Sequence, residues 1–230
     1  MSDLFEPTLV TNGVLRPTHV EVRLDVIADN YRALCAAAQG RPVMAILKAN
    51  AYGHGLIPVA QKLESIGCPY FGLAYLEEGL SLRKEGIETP ILILGGIIGS
   101  QIPLFIQNNL TITASSVDKL RAIDATAKQL GIKAKAHLKI DTGMERLGVH
   151  YYSATALLEE SLRCEHVEIE GIFSHFANAD SLDTNDAYRQ LKRFKSTLQF
   201  YADRGLNPPP PPSLLQNYYF SHHSLLVSIT

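Results

Sequence analysis

Three short stretches carry side chains able to do chemistry, and each follows an apolar run. In the first, Val43 to Gly55, the apolar residues Met44 to Leu47 lead directly into Lys48. A continuous apolar run suits a parallel strand covered on both faces, so Lys48 stands at a strand's carboxyl end, and Gly53 and Gly55 allow the turn beyond it. A lysine pressed among apolar neighbours can lose its proton and attack a carbonyl carbon. The plainer alternative is a solvated lysine that merely ends a strand. The second stretch, Asp141 to Gly148, follows a strand ending Leu138-Lys139-Ile140. Arg146 there offers a planar fork of donors for a carboxylate or phenolate oxygen, while Gly143 and Gly148 let the loop fold tightly over a ligand. A salt-bridged loop arginine is the alternative. The third is Ser174-His175-Phe176-Ala177, after an apolar strand Ile169 to Phe173. His175 could lie flat against an aromatic ring, or could be a hydrogen-bonded structural residue.

Other chemistries lack their signatures. Cys35, Cys68 and Cys164 form no CxxC pair, and His137, His150 and His166 have no regular ligand spacing, so no metal site is expected. GxSxG, Walker and GxGxxG motifs do not occur, which disfavours nucleotide binding.

The elements that must hold these stretches alternate between two periodicities. Val20 to Leu24 alternates as a half-buried strand, and helical spacing follows through Ile27, Tyr31 and Leu34 to Ala38. Helices are predicted over 57–66, 77–85 and 116–130, the last with Ser116 as N-cap and Gly131 as its stop. Helical stripes recur at 157–162 and 186–201, and strands at 70–74, 91–94, 110–113, 136–140 and 169–173. From Met44 onward this makes about six βα steps, the rhythm of a parallel barrel or of a doubly wound sheet. Periodicity does not choose between them.

The chain has 230 residues, 46% apolar and 19% charged, with a net charge of −2. Such a balance gives no electrostatic reason to expect nucleic acid or an anionic membrane surface. No apolar run approaches the ~18 residues of a membrane span, and no secretory signal opens the chain. A soluble, cytoplasmic protein with reduced thiols is expected.

The unbroken run Lys48-Ala49-Asn50-Ala51-Tyr52-Gly53-His54 resembles the cofactor-lysine motif of the alanine racemase family, and Asp141 to Gly148 resembles a second motif of that family. The resemblance implies an incomplete TIM-type (β/α) barrel with about six βα units. It implies that Lys48 carries pyridoxal 5'-phosphate as a Schiff base and acts as one catalytic base. Tyr52 takes the place of the phosphate-binding tyrosine, and Arg146 sits near the ring hydroxyl. His175 packs on the pyridine face, and Lys139 is carbamylated and paired with Arg146. The implied activity is interconversion of L-alanine and D-alanine, a cell-wall precursor, with the second base a tyrosine from the partner of a homodimer.

The resemblance covers about residues 16 to 206. The expected organisation is a leader over 1–19, the cofactor barrel over 20–206 and a Pro-rich linker with an irregular tail over 207–230, beginning at Pro208 to Pro212. The family's Asn-Ser phosphate segment, its arginine facing the pyridine nitrogen and its C-terminal β domain have no counterpart, and Tyr218 and Tyr219 carry none of the catalytic tyrosine's surroundings. By the family's plan, the last two barrel strands and the domain that Val20 to Leu24 would join are absent, so the dimer is not expected to form as in the family. A frameshift at a proline-coding repeat would give a truncated, inactive racemase; a short paralogue would bind the cofactor without racemising. The alternative function is therefore a non-catalytic pyridoxal phosphate-binding or homeostasis protein on the same barrel. Another amino-acid racemase or a decarboxylase is the nearest enzymatic rival.

Overall fold

Alternation along each strand sorts its side chains to two faces, and those faces meet different partners. In the computed structural model, which describes residues 20–179 and 181–209, the strands are β1 (Ala45–Ile46), β2 (Phe71–Leu73), β3 (Ile91–Ile93), β4 (Thr111–Ala114), β5 (Ala134–Asp141), β6 (Val149–His150) and β7 (Val167–Phe173). Six of them pair in parallel in the order β1-β2-β3-β4-β5-β7, while β6 adds to the end of β5 through Ile140 and Asp141. Between them run helices α1 (Leu24–Ala37), α3 (Leu56–Ser65), α4 (Leu76–Lys84), α5 (Ile102–Gln107), α6 (Val117–Leu130), α7 (Thr155–Arg163) and α8 (Asn185–Ala202), with a single turn, α2 (Lys48–Tyr52), directly after β1.

Ala45, Leu47, Phe71, Leu73, Ile91, Ile93, Ile112, Leu138 and Ile140 share one buried cluster with the helices. Met44, Ile46, Tyr70, Leu92 and Phe173 form a second cluster on the opposite face, joining side chains from the first and last strands of the parallel path. Helices thus line one face and the sheet curls around the other, which resolves the choice left open by periodicity in favour of an incomplete TIM-type barrel. The inner space is filled. A Cβ on Gly72 would lie 2.5 Å from Ile46 Cδ1 and 3.1 Å from Met44 Sδ, so glycine is what lets β1 and β2 pack side by side there.

The amino-terminal part of this interior is polar and paired. Tyr70 Oη lies 2.6 Å from Thr111 Oγ1 and donates to Glu170 Oε2 at 3.0 Å, and Lys135 Nζ lies 3.1 Å from Glu170 Oε1. Above this network His137 is almost wholly buried between the rings of Tyr70, at 5.8 Å, and Phe173, at 6.2 Å. Among the described residues neither of its nitrogens has a hydrogen-bond partner.

One expected element is corrected. Val20 to Leu24 is not a strand: α1 begins at Leu24, Arg23 is its extended N-cap, and Val20 is 86% exposed. Alternation creates a strand only where a neighbour pairs with it, and among the described residues none does. The six-residue α5 was not foreseen, because Ile102 to Ile106 is apolar without a helical gap; Pro103 sits in its first turn, where a missing amide is harmless. Apart from the single turn α2 and the two-residue β6, where no helix or strand was expected, the remaining helices and strands fall within a few residues of expectation. Ser116 does cap α6, its side chain accepting from the Lys119 amide at 3.2 Å, and Gly131 closes it at φ 64°. The expected leader and almost all of the Pro-rich tail lie outside the described residues.

Burial pushes the His137 imidazole down to about 4, with the Glu170 carboxylate opposing weakly. Because the folded value lies below the unfolded one, the unfolded chain takes up a proton between pH 6.5 and 4 that the folded chain refuses, and stability falls as pH falls through that window. His137→Phe should therefore lose less stability than the wild type on going from pH 7 to 4.5, by on the order of 2 kcal/mol in urea titrations. Identical losses in the two proteins would contradict the assignment.

Candidate active site

Parallel pairing puts the carboxyl ends of all six strands on one rim, and the three sequence stretches emerge there from β1, β5 and β7. On β1, Ala45 and Leu47 point to the helices and Met44 and Ile46 point inward, so the alternation carries the half-buried Lys48 to the inner rim. The chain then makes a left-handed turn. Ala49, Asn50, Ala51 and Tyr52 have φ of 55°, 57°, 51° and 54°, although none is glycine. Such backbone is disfavoured by about 1–2 kcal/mol per residue. Hydrogen bonds hold it: Leu47 O accepts the Ala51 amide at 2.8 Å, Asn50 O accepts the Gly55 amide at 3.0 Å, and Asn50 Oδ1 accepts the Leu56 amide at 2.8 Å. His54 Nδ1, 2.9 Å from Ala51 O, adds a further tie as donor. The turn brings Tyr52 back over Lys48, with Nζ 6.0 Å from the ring centroid.

At the end of β5, Lys139 is buried with its Nζ 4.8 Å above the Phe173 ring. Burial pushes its ammonium down to about 7; Asp141 opposes this, and the positive charge of Arg146 reinforces it. Asp141 shapes the loop that follows. Its Oδ1 accepts the amides of Gly143 at 2.7 Å and Met144 at 3.0 Å, and its Oδ2 accepts that of Arg146 at 3.2 Å. Burial raises the Asp141 carboxyl, but these amides outweigh it and hold the group below its ordinary value. The loop returns directly across Lys139: a Cβ on Gly148, at φ 115°, would stand 2.8 Å from both Lys139 Cγ and its carbonyl oxygen. Arg146 projects from this loop on the exposed side.

At the end of β7, His175 lies half-buried two residues beyond Phe173. The β5 and β7 loops are joined by Thr142 Oγ1 and Ser174 Oγ, 2.7 Å apart. Helix α8 fastens both from behind. The fully buried Gln190 accepts the Ala177 amide at 3.3 Å and reaches Thr142 Oγ1 at 3.5 Å, while Arg193 Nη1 donates to Thr142 O at 2.8 Å.

Lys48 and Tyr52 thus meet on the β1 side of the rim, while Lys139, Arg146 and the His175 segment gather on the β5 and β7 side. Sequence reasoning missed Glu78 and Gln190, and it named Ser174 as part of the His175 stretch without giving it a role. Gln190 carried no signal, since a polar residue on the helical stripe of α8 reads as solvent-facing, whereas Glu78 stands at the third position of a helix, where a capping carboxylate is expected. Asp141, Glu145 and His150 bring ligand atoms within 4.8 Å of one another. Both Asp141 oxygens are already committed to backbone amides, so the cluster serves the loop.

A family model described as "Alanine racemase, N-terminal domain" matches residues 22–215. The alanine racemase of Geobacter sulfurreducens is 39% identical over 198 residues, 84% of this chain and 52% of that protein. Among solved structures, the alanine racemase of Clostridium difficile 630 in complex with cycloserine superposes with a TM-score of 0.81 at 33% identity, covering 85% of this chain and 54% of that one. A histidine racemase from Leuconostoc mesenteroides subsp. sake superposes with a TM-score of 0.73 at 26% identity, covering 83% and 50%. This chain spans about half the length of the curated relatives it matches. A rim that presents a lysine, a tyrosine and an arginine loop at the ends of parallel strands, together with this extent of matching sequence, places the chain in the alanine racemase family, a family of pyridoxal phosphate-dependent isomerases.

Proposed function

We propose that this chain forms the cofactor-binding barrel of a racemase acting on alanine, with Lys48 as the amine that holds pyridoxal phosphate. The observation that carries this reading is the placement of Lys48: half-buried, on the inner rim, with the left-handed turn folding Tyr52 back beside it. The donor set suits the group. The Tyr52 hydroxyl would serve a phosphate oxygen, the Arg146 guanidinium the ring hydroxyl, and the His175 imidazole the flat face of the ring. When bound, pyridoxal phosphate supplies an electron sink that acidifies the α-hydrogen of an amino acid. The Lys48 amine would carry a proton on one face of the substrate carbon. Inversion needs a second proton carrier on the opposite face, which the family resemblance assigns to a tyrosine of a partner subunit.

Lys139 supports this arrangement in a different way. An ammonium and a guanidinium at close quarters repel, and the buried amine at about 7 is substantially neutral at physiological pH. The neutral amine would add to carbon dioxide, releasing one proton to solvent and leaving a carbamate anion that attracts Arg146. Repulsion becomes attraction, and the arginine is held toward the ring hydroxyl.

Adding pyridoxal phosphate to the purified chain should shift the cofactor's visible absorbance, and Lys48→Ala should abolish the shift. Formation of D-alanine from L-alanine should depend on the same residue. A shift that survives Lys48→Ala would overturn the cofactor assignment, while capture without turnover would favour the carrier over the racemase. With ¹³C-labelled bicarbonate, carbon NMR should show a carbamate signal that grows as pH rises through about 7 and is missing from Lys139→Ala. No signal in the wild type, or the same signal in the variant, would contradict carbamylation.

A further inference from the structure

Three backbone amides from two strand ends converge on one carboxylate. Glu78, in the first turn of α4, accepts the Ala74 amide at 2.8 Å and the Tyr75 amide at 3.3 Å through Oε2. Those two bonds alone would make it an ordinary helix cap. Its other oxygen, Oε1, accepts the Ala49 amide at 2.6 Å, across 29 positions of sequence. Ala49 is the first residue of the left-handed turn, and its nitrogen is bonded to the carbonyl carbon of Lys48. Fixing that N–H fixes the peptide plane that leaves Lys48. The support behind Glu78 is itself close-packed: a Cβ on Gly95 would lie 2.3 Å from Ala74 O, so the segment after β3 presses against the strand end that Glu78 caps.

We propose that Glu78 is a positioning residue for Lys48: its carboxylate clamps the β1 rim to the β2 rim, holds the left-handed turn at its first residue, and so presets the direction in which the lysine leaves the backbone. The part of this that concerns cofactor capture rests on the reading of Lys48 given above. A carboxylate has four lone-pair sites and no donor, so it can accept all three amides. The amide of Gln has a single acceptor oxygen, and its NH₂ would meet either Ala49 N–H or the Ala74 and Tyr75 amides donor against donor.

The test uses the full chain in two measurements. Without cofactor, amide hydrogen exchange resolved by NMR at Ala49, Ala74 and Tyr75 is compared in the wild type, Glu78→Gln, Glu78→Asp and Glu77→Gln, the last altering the exposed neighbouring carboxylate. With pyridoxal phosphate added, its covalent capture is titrated by absorbance. Loss of one hydrogen bond to a charged acceptor should speed exchange at Ala49 by about tenfold in Glu78→Gln and weaken capture by a similar factor. Glu78→Asp keeps the charge but falls one methylene short and should behave alike, whereas Glu77→Gln should match the wild type. A residue that only caps α4 would change exchange at Ala74 and Tyr75 and leave Ala49 and capture untouched, which would overturn the proposal. So would failure of both Glu78 variants to fold, since Glu78 would then serve the fold as a whole. If the wild type itself captures no cofactor, the reading of Lys48 fails, and accelerated exchange at Ala49 would still establish the clamp.

Discussion

Parallel strand pairing is the constraint on which the rest depends. It forces every strand to end on the same rim, so residues separated by about a hundred positions arrive together without any direct contact being selected for. Alternation then decides which side chain at each end faces inward. Lys48 occupies such a position because β1 sends Ala45 and Leu47 into the helical layer and Met44 and Ile46 into the interior. The chain reverses there through four non-glycine residues in the left-handed region, a conformation that persists only where its surroundings over-determine it.

The interior below the rim is graded. Towards the amino-terminal ends, charges are paired, with Glu170 answering Lys135, Tyr70 and Thr111. In the middle, His137 stays neutral between two aromatic rings. At the top, Lys139 meets the rim with its proton loosely held, pressed by Phe173 below and by the returning backbone at Gly148 above. The same low polarity that depresses the amine also strengthens any charge pairing it can make. Asp141 answers for the loop and not for Lys139 alone, because its oxygens are bound to three backbone amides.

Much of this was legible in the sequence. The apolar run into Lys48, the Asp141 loop and the His175 segment all stand at strand ends as read, because hydrophobic runs and glycines report local geometry directly. Ser116 and Gly131 bounded α6 for the same reason. What escaped depended on tertiary partners. Val20 to Leu24 alternates like a strand but has no neighbour to pair with, and Leu24 starts a helix instead. The hand of the turn after Lys48 cannot be read from Ala-Asn-Ala-Tyr, since only the asparagine tolerates positive φ and alanine and tyrosine avoid it in isolation. Gln190 looks like an exposed polar residue of an amphipathic helix, and Glu78 like an ordinary helix cap, until the loops they hold are brought beside them.

The account turns on which amine the cofactor finds. Incubation with pyridoxal phosphate, reduction with borohydride and mass spectrometry of the digested protein would locate the bond at residue resolution. The proposal predicts a single pyridoxyl group on the peptide containing Lys48, with no pyridoxyl on the buried Lys139 or the surface lysines. A label spread over surface lysines, or concentrated at Lys139, would contradict the central claim.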